Sequence, residues 1–189
     1  KVSPLVTNDR DGFLCSILTG RNHSALWNKL FKRKLFDKVR FIENICYMED
    51  RVLIVDILIF RQPKISFLDF PVYVYWQDEN SITGSKYKSI LTIFNAHILV
   101  AKNINKHVSN ADVIRGFSFG AFKSIFFVLR NVDYKFIHYS VISASSFYYE
   151  LTALGFWSPR KIYRNLFSVF FCLPNVFKVW LIKIIRYLV

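Results

Sequence analysis

Residues 49–60 read Glu49-Asp-Arg-Val-Leu-Ile-Val-Asp-Ile-Leu-Ile-Phe60. Eight of these twelve side chains are apolar and occupy nearly every face of a helical wheel, so the stretch predicts a helix buried on most sides. Its first two residues are acids, which suits a helix N-terminus, where the macrodipole and free N–H groups favour negative charge. Gln62-Pro63 ends it, because proline excludes the preceding residue from helix. Residues 64–70 and 72–76 follow, rich in aromatic and β-branched side chains, and predict two strands. On the second, Tyr73 and Tyr75 share one face, and Val72, Val74 and Trp76 the other. A buried helix followed by strands predicts an α/β region.

Upstream, Asp11 to Leu18 predicts a short helix with Asp11 as its cap, stopped by Gly20. Leu26, Trp27, Leu30, Phe31 and Phe36 fall at helical spacing and predict a helix over 24–36. A loop then runs from Arg40 to Met48. Downstream of the Gly84-Ser85 break, helices are predicted over 87–108, over 112–130 with Asp112 as cap, over 134–154, from Pro159 to Pro174, and over 175–189. The chain therefore divides into residues 1–85 and a helical region, 86–189.

Charge divides at the same place. Residues 1–85 hold 12 Lys and Arg against 10 Asp and Glu (+2), and residues 86–189 hold 14 against 3 (+11). A basic surface attracts phosphate, in nucleic acid or in anionic lipid. Here the cations are interleaved with Phe, Leu, Ile and Trp, in a chain that is 53% hydrophobic and 18% aromatic. That pattern favours a lipid surface and sets nucleic acid aside; a helical bundle with a solvated basic face is the plainer alternative. On a wheel of the last helix, Lys178, Lys183 and Arg186 fall on one arc and Phe177, Trp180, Leu181, Ile184, Ile185 and Leu188 on the other. This predicts a helix lying flat on an anionic membrane without spanning it. The apolar stretch 136–157 contains Glu150, His138 and several serines, and reads as buried or interfacial.

Cys15, Cys46 and Cys172 are far apart and odd in number, so neither a disulfide framework nor a zinc site is expected, and a reducing, cytoplasmic compartment fits. His23, His97, His107 and His138 show no metal-binding spacing and read as ordinary surface or core residues. The polar first residues have no signal-peptide pattern and read as the middle of a longer protein.

Three groups of residues stand in order: Ser24-Ala-Leu-Trp-Asn-Lys-Leu-Phe31 with Lys32-Arg33; Arg40-Phe41 with Glu49-Asp50; and Tyr73-Val-Tyr75 with Ser81-Ile-Thr83. Together they resemble the second half of bacterial family 2 glycosyltransferases of the GT-A fold. The resemblance covers about residues 11–85 and implies a partial, Rossmann-like GT-A domain. That family's first half, the nucleotide-binding region ending in D-x-D, has no counterpart in this sequence. Asp9-Arg10-Asp11 matches D-x-D only formally, since no buried apolar strand precedes it.

The resemblance implies inverting transfer of a sugar from a nucleotide-sugar donor to a saccharide or lipid-linked acceptor, in cell-surface polysaccharide synthesis. It implies Asp50 as the base, paired with Glu49. Trp27 would stack on the acceptor sugar, with Asn28 beside it. Lys29 would approach the diphosphate, Tyr75 would line the site, and Ser81 would order the loop over the nucleotide. A divalent metal, Mg or Mn, is implied, with its ligands mainly in the missing half. Location would be peripheral, on the inner face of the cell membrane. The alternative is a non-catalytic truncated fragment or a membrane-interaction module.

Overall fold

A computed structural model describes residues 9–68, 70, 73, 74 and 90–188. Among these the molecule is helical: α1 (Arg10–Thr19), α2 (Glu49–Arg61), α3 (Thr92–His107), α4 (Ala111–Asn131), α5 (Ile137–Ala153), α6 (Lys161–Cys172) and α7 (Asn175–Leu188), with short 3-10 turns at Arg33–Phe36 and Tyr134–Phe136. No strand occurs among the described residues, which overturns the α/β, Rossmann-like GT-A expectation.

The reason is visible in residues 62–68. Burial alternates along them, with Ile65 and Phe67 packed on the core and Lys64, Ser66 and Leu68 outside. Phe67 meets the Phe13 ring edge-on, with centroids 5.7 Å apart. Alternation of this kind is what a strand shows, but a strand also needs a neighbour to share its ladder of backbone hydrogen bonds. The segment lies instead against helices. Of the second expected strand, only Tyr73 and Val74 are among the described residues, and neither is in a strand.

The expected helix over 24–36 shrinks to the single turn Arg33–Phe36. Partners from elsewhere take the backbone groups that a helix would use. Asp50 accepts from the Leu26 N–H at 3.2 Å, and the Lys29 ammonium donates to the carbonyls of His23 (2.6 Å) and Ala25 (2.8 Å). Side chains that bond the local backbone compete with helix in this way.

Two caps also move. Asp9, not Asp11, caps α1, its carboxylate accepting from the Gly12 N–H at 2.7 Å. Asn110, not Asp112, caps α4, accepting from the N–H groups of Asp112 and Val113. Gly20 ends α1 with φ +76°, a conformation that costs glycine nothing.

Helix α2 is covered on two sides, which accounts for its nearly all-round apolarity. Val52, Ile54, Val55, Leu58 and Ile59 join the main core, while Leu53 and Ile57 form a second small cluster with Val39, roofed by Leu26, Phe31, Leu35 and Phe36. The main core extends without a break from Phe13 in α1 to Ile182 in α7, so residues on both sides of position 85 share it. Helix α1 packs along α4, α2 along α3, and α5 against α3, α4 and α7. The approach of α1 to α4 is so close that a Cβ on Gly120 would stand 2.6 Å from the Leu18 carbonyl oxygen. Among the described residues, no helix is long and apolar enough to cross a membrane.

Candidate functional site

Helix α2 begins abruptly after Met48, whose φ of +70° turns the chain sharply and whose side chain caps nothing. Glu49 and Asp50 therefore meet the free N–H end of the helix, where carboxylates are stabilised. Both are partly buried. Asp50 also reaches across 24 residues of chain: its Oδ2 accepts from the Leu26 N–H at 3.2 Å, tying the 23–29 loop to the start of α2.

That loop is internally braced. The Ala25 N–H donates to His23 Nδ1 at 3.0 Å. Lys29 Nζ donates to three oxygens: the carbonyls of His23 and Ala25, and Asn28 Oδ1 at 2.6 Å. Burial pushes the Lys29 pKa down to about 8, against the opposing pull of the Asp50 carboxylate. With its three protons spent on the loop, Lys29 braces the site from within. Asn28 is exposed and serves as one of its acceptors.

Trp27 stands at the loop tip. Its ring stacks on Tyr73 with centroids 5.1 Å apart and planes at 28°, and the His23 ring lies 5.9 Å away. Trp27 and Tyr73 both remain exposed. The result is an exposed aromatic ledge on a loop whose Leu26 N–H is tied to the helix-start carboxylate of Asp50. Its parts come from positions 23–29, 50 and 73, one from each of the three sequence motifs. Tyr75 and Ser81 lie outside the described residues.

Two participants were not singled out from the sequence as site residues. His23 gives the loop both a ring acceptor and a carbonyl acceptor; its place one residue before the Ser24–Phe31 motif was the available signal. Tyr73 was noted as part of the Tyr73-Val-Tyr75 pattern, and only its stacking on Trp27 places it here. Arg51, next after Asp50, turns inward beside Tyr47 and His97, and its Nε is sealed off without a hydrogen-bond partner. Burial lowers its pKa.

Among the described residues, no group of three or more His, Cys, Asp or Glu side chains is placed to hold a metal ion. These residues do not by themselves fit the metal expected for sugar-diphosphate chemistry. Comparison with protein-family models, curated proteins and solved structures found no match to the chain.

Proposed function

We propose that this chain takes part in inverting glycosyl transfer from a nucleotide sugar, with Asp50 as the general base. The supporting observations are the Trp27–Tyr73 stack and the hydrogen bond by which Asp50 holds Leu26, the residue before Trp27, so that residues from three separated motifs are linked. The acceptor sugar packs an apolar face on the Trp27–Tyr73 ledge. Its hydroxyl points to Asp50, whose Oδ2 is held by Leu26 and whose Oδ1 is left to take the proton. As the acceptor oxygen bonds to the anomeric carbon, the bond from that carbon to the diphosphate oxygen breaks. The nucleoside diphosphate leaves with the electron pair, and Asp50 takes the hydroxyl proton. Base assistance of this kind contributes on the order of 10²–10⁴ in rate. The acceptor is a saccharide or a lipid-linked saccharide, and the chain acts as a peripheral protein on the inner face of the cell membrane.

The test is turnover by the full-length gene product containing this chain, offered a panel of nucleotide sugars with oligosaccharide acceptors. Nucleoside diphosphate release together with a product of inverted anomeric configuration is expected. Retained configuration, or turnover that survives loss of the Asp50 carboxylate, would overturn the reading.

A further inference from the structure

The sequence pattern puts Lys178 on the water-facing side of the last helix. The structure places it inside. Lys178 is 3% exposed; its Nζ donates to Ser145 Oγ and Asn175 Oδ1, each at 3.2 Å, and lies 5.6 Å from the centre of the Phe171 ring. Val179 and Ile182 are buried on the same side. The outward side of α7 is then Val176, Phe177 and Trp180, which are 59–70% exposed and fall within about 100° of arc.

Helix α6 repeats the arrangement. Phe167 and Phe171 face inward, the first against Phe122 and Phe126 and the second against Tyr148. Leu166, Val169 and Leu173 recur at i, i+3 and i+7, within about 60° of arc, and are exposed. The two helices that carry these stripes adjoin along the chain at Leu173-Pro174. A chain that keeps so many large apolar side chains together at its surface marks a place where something covers them.

We infer that the outward face of the α6–α7 corner inserts into the interface of an anionic lipid bilayer, as a shallow monotopic wedge. Charge selects this occupant. After Glu150 the sequence has no acidic residue, whereas, apart from the buried Lys178, it has Arg160, Lys161, Arg164, Lys183 and Arg186. Arg160, Lys161 and Arg164 are exposed at the start of α6, where Arg160 lies 5.8 Å from the centre of the Phe119 ring. Exposed cations in an acid-free segment that also exposes a tryptophan and aliphatic side chains match anionic headgroups over an acyl boundary. The inference rests on the membrane placement proposed above and narrows it to one face. It does not depend on sugar transfer.

The test is flotation of the 189-residue chain with vesicles of phosphatidylcholine and phosphatidylglycerol at roughly 3:1, and with phosphatidylcholine alone. Wild type is expected to float with the anionic vesicles, to be released by high salt or alkaline carbonate, and to show a blue shift of emission in a variant whose only tryptophan is Trp180. The triple variant Val176→Ser, Phe177→Ser, Trp180→Ser should partition on the order of tenfold or more weakly. Its circular dichroism and melting should be unchanged, because these side chains are exposed. Replacing Arg160, Lys161 and Arg164 by Ser should weaken binding to the anionic vesicles alone. A wild type that does not float overturns both this face and the membrane placement. A triple variant that floats like wild type overturns the face and leaves the placement standing. If wild type is a dimer in vesicle-free buffer and the triple variant a monomer with unaltered flotation, the face belongs to a second copy and the inference fails. A triple variant that still transfers sugar to a water-soluble acceptor separates the face from the transfer reading.

Discussion

The Leu26 backbone N–H donates to Asp50 Oδ2 at 3.2 Å, joining a loop to the start of a helix 24 residues later. One carboxylate oxygen thus holds the loop that carries Trp27; in the proposed function the other takes the acceptor's proton. Structural and chemical roles of Asp50 can be separated by choice of substitution.

Asp50→Asn keeps an oxygen for the Leu26 N–H but cannot take a proton. On the proposed function it should lower kcat by on the order of 10² or more with the fold intact. Asp50→Ala should lose the same activity and, in addition, about 1 kcal/mol of stability through the unpartnered N–H. Turnover assays and urea denaturation of the two variants check this. An Asn variant retaining above about a tenth of the rate would remove Asp50 from the role of base.

Trp27→Ala removes the upper half of the Trp27–Tyr73 stack. An aromatic contact of this kind is worth about 0.5–1.5 kcal/mol, so acceptor KM should rise roughly 3–10-fold while donor KM stays unchanged. Steady-state kinetics with each substrate varied in turn distinguishes the outcomes. An effect confined to donor KM would place the ledge on the nucleotide side.

Gly120→Ala tests the closest helix contact. Alanine is favoured over glycine within a helix by up to about 1 kcal/mol. A Cβ at this position meets the Leu18 carbonyl oxygen at 2.6 Å, however, and backbone cannot step aside cheaply. A net loss of about 1–3 kcal/mol is expected. At Gly116 the nearest atoms to an added Cβ are the side chains of Cys15 and Thr19, at 3.1 Å, with the Cys15 carbonyl oxygen at an ordinary 3.9 Å, and Gly116→Ala should cost much less. Denaturation midpoints of the two variants, compared directly, test the α1–α4 packing; equal effects would contradict it.

His97 is buried between the Phe117 and Phe147 rings, and desolvation holds its pKa down to about 3, with the nearby Arg51 cation adding to the depression. In the unfolded chain the imidazole takes a proton near pH 6.5. Between these values the unfolded state binds more protons than the folded one. The His97 contribution is therefore complete above about pH 6.5 and is lost as pH falls toward 3, by up to about 1.4 kcal/mol per pH unit. The pH dependence of stability, measured for wild type and His97→Phe, should diverge below pH 6.5. Parallel curves between roughly pH 6.5 and 4.5 would mean that His97 is not sealed from water.

Helix positions were legible in the sequence because their signals act over one or two turns. Gly20 at the end of α1, the acids opening α2, the Pro174 break and the 3.6-residue periodicity of 92–107 and 111–131 are all satisfied by neighbours along the chain. The Glu49-Asp50 pair could likewise be placed at a helix start from sequence alone. Tertiary structure decided the rest, because each remaining question turned at least in part on a partner distant in sequence. Residues 64–68 have strand-like alternation yet form no strand, since among the described residues no second strand lies beside them. Residues 24–32 have helical spacing yet form a braced loop, since Asp50 and Lys29 hold its backbone groups. Lys178 reads as a surface cation, and only the placement of Ser145, Asn175 and Phe171 around it turns it inward. Local periodicity states which side chains share a face; which face is covered, and by what, is settled by long-range packing.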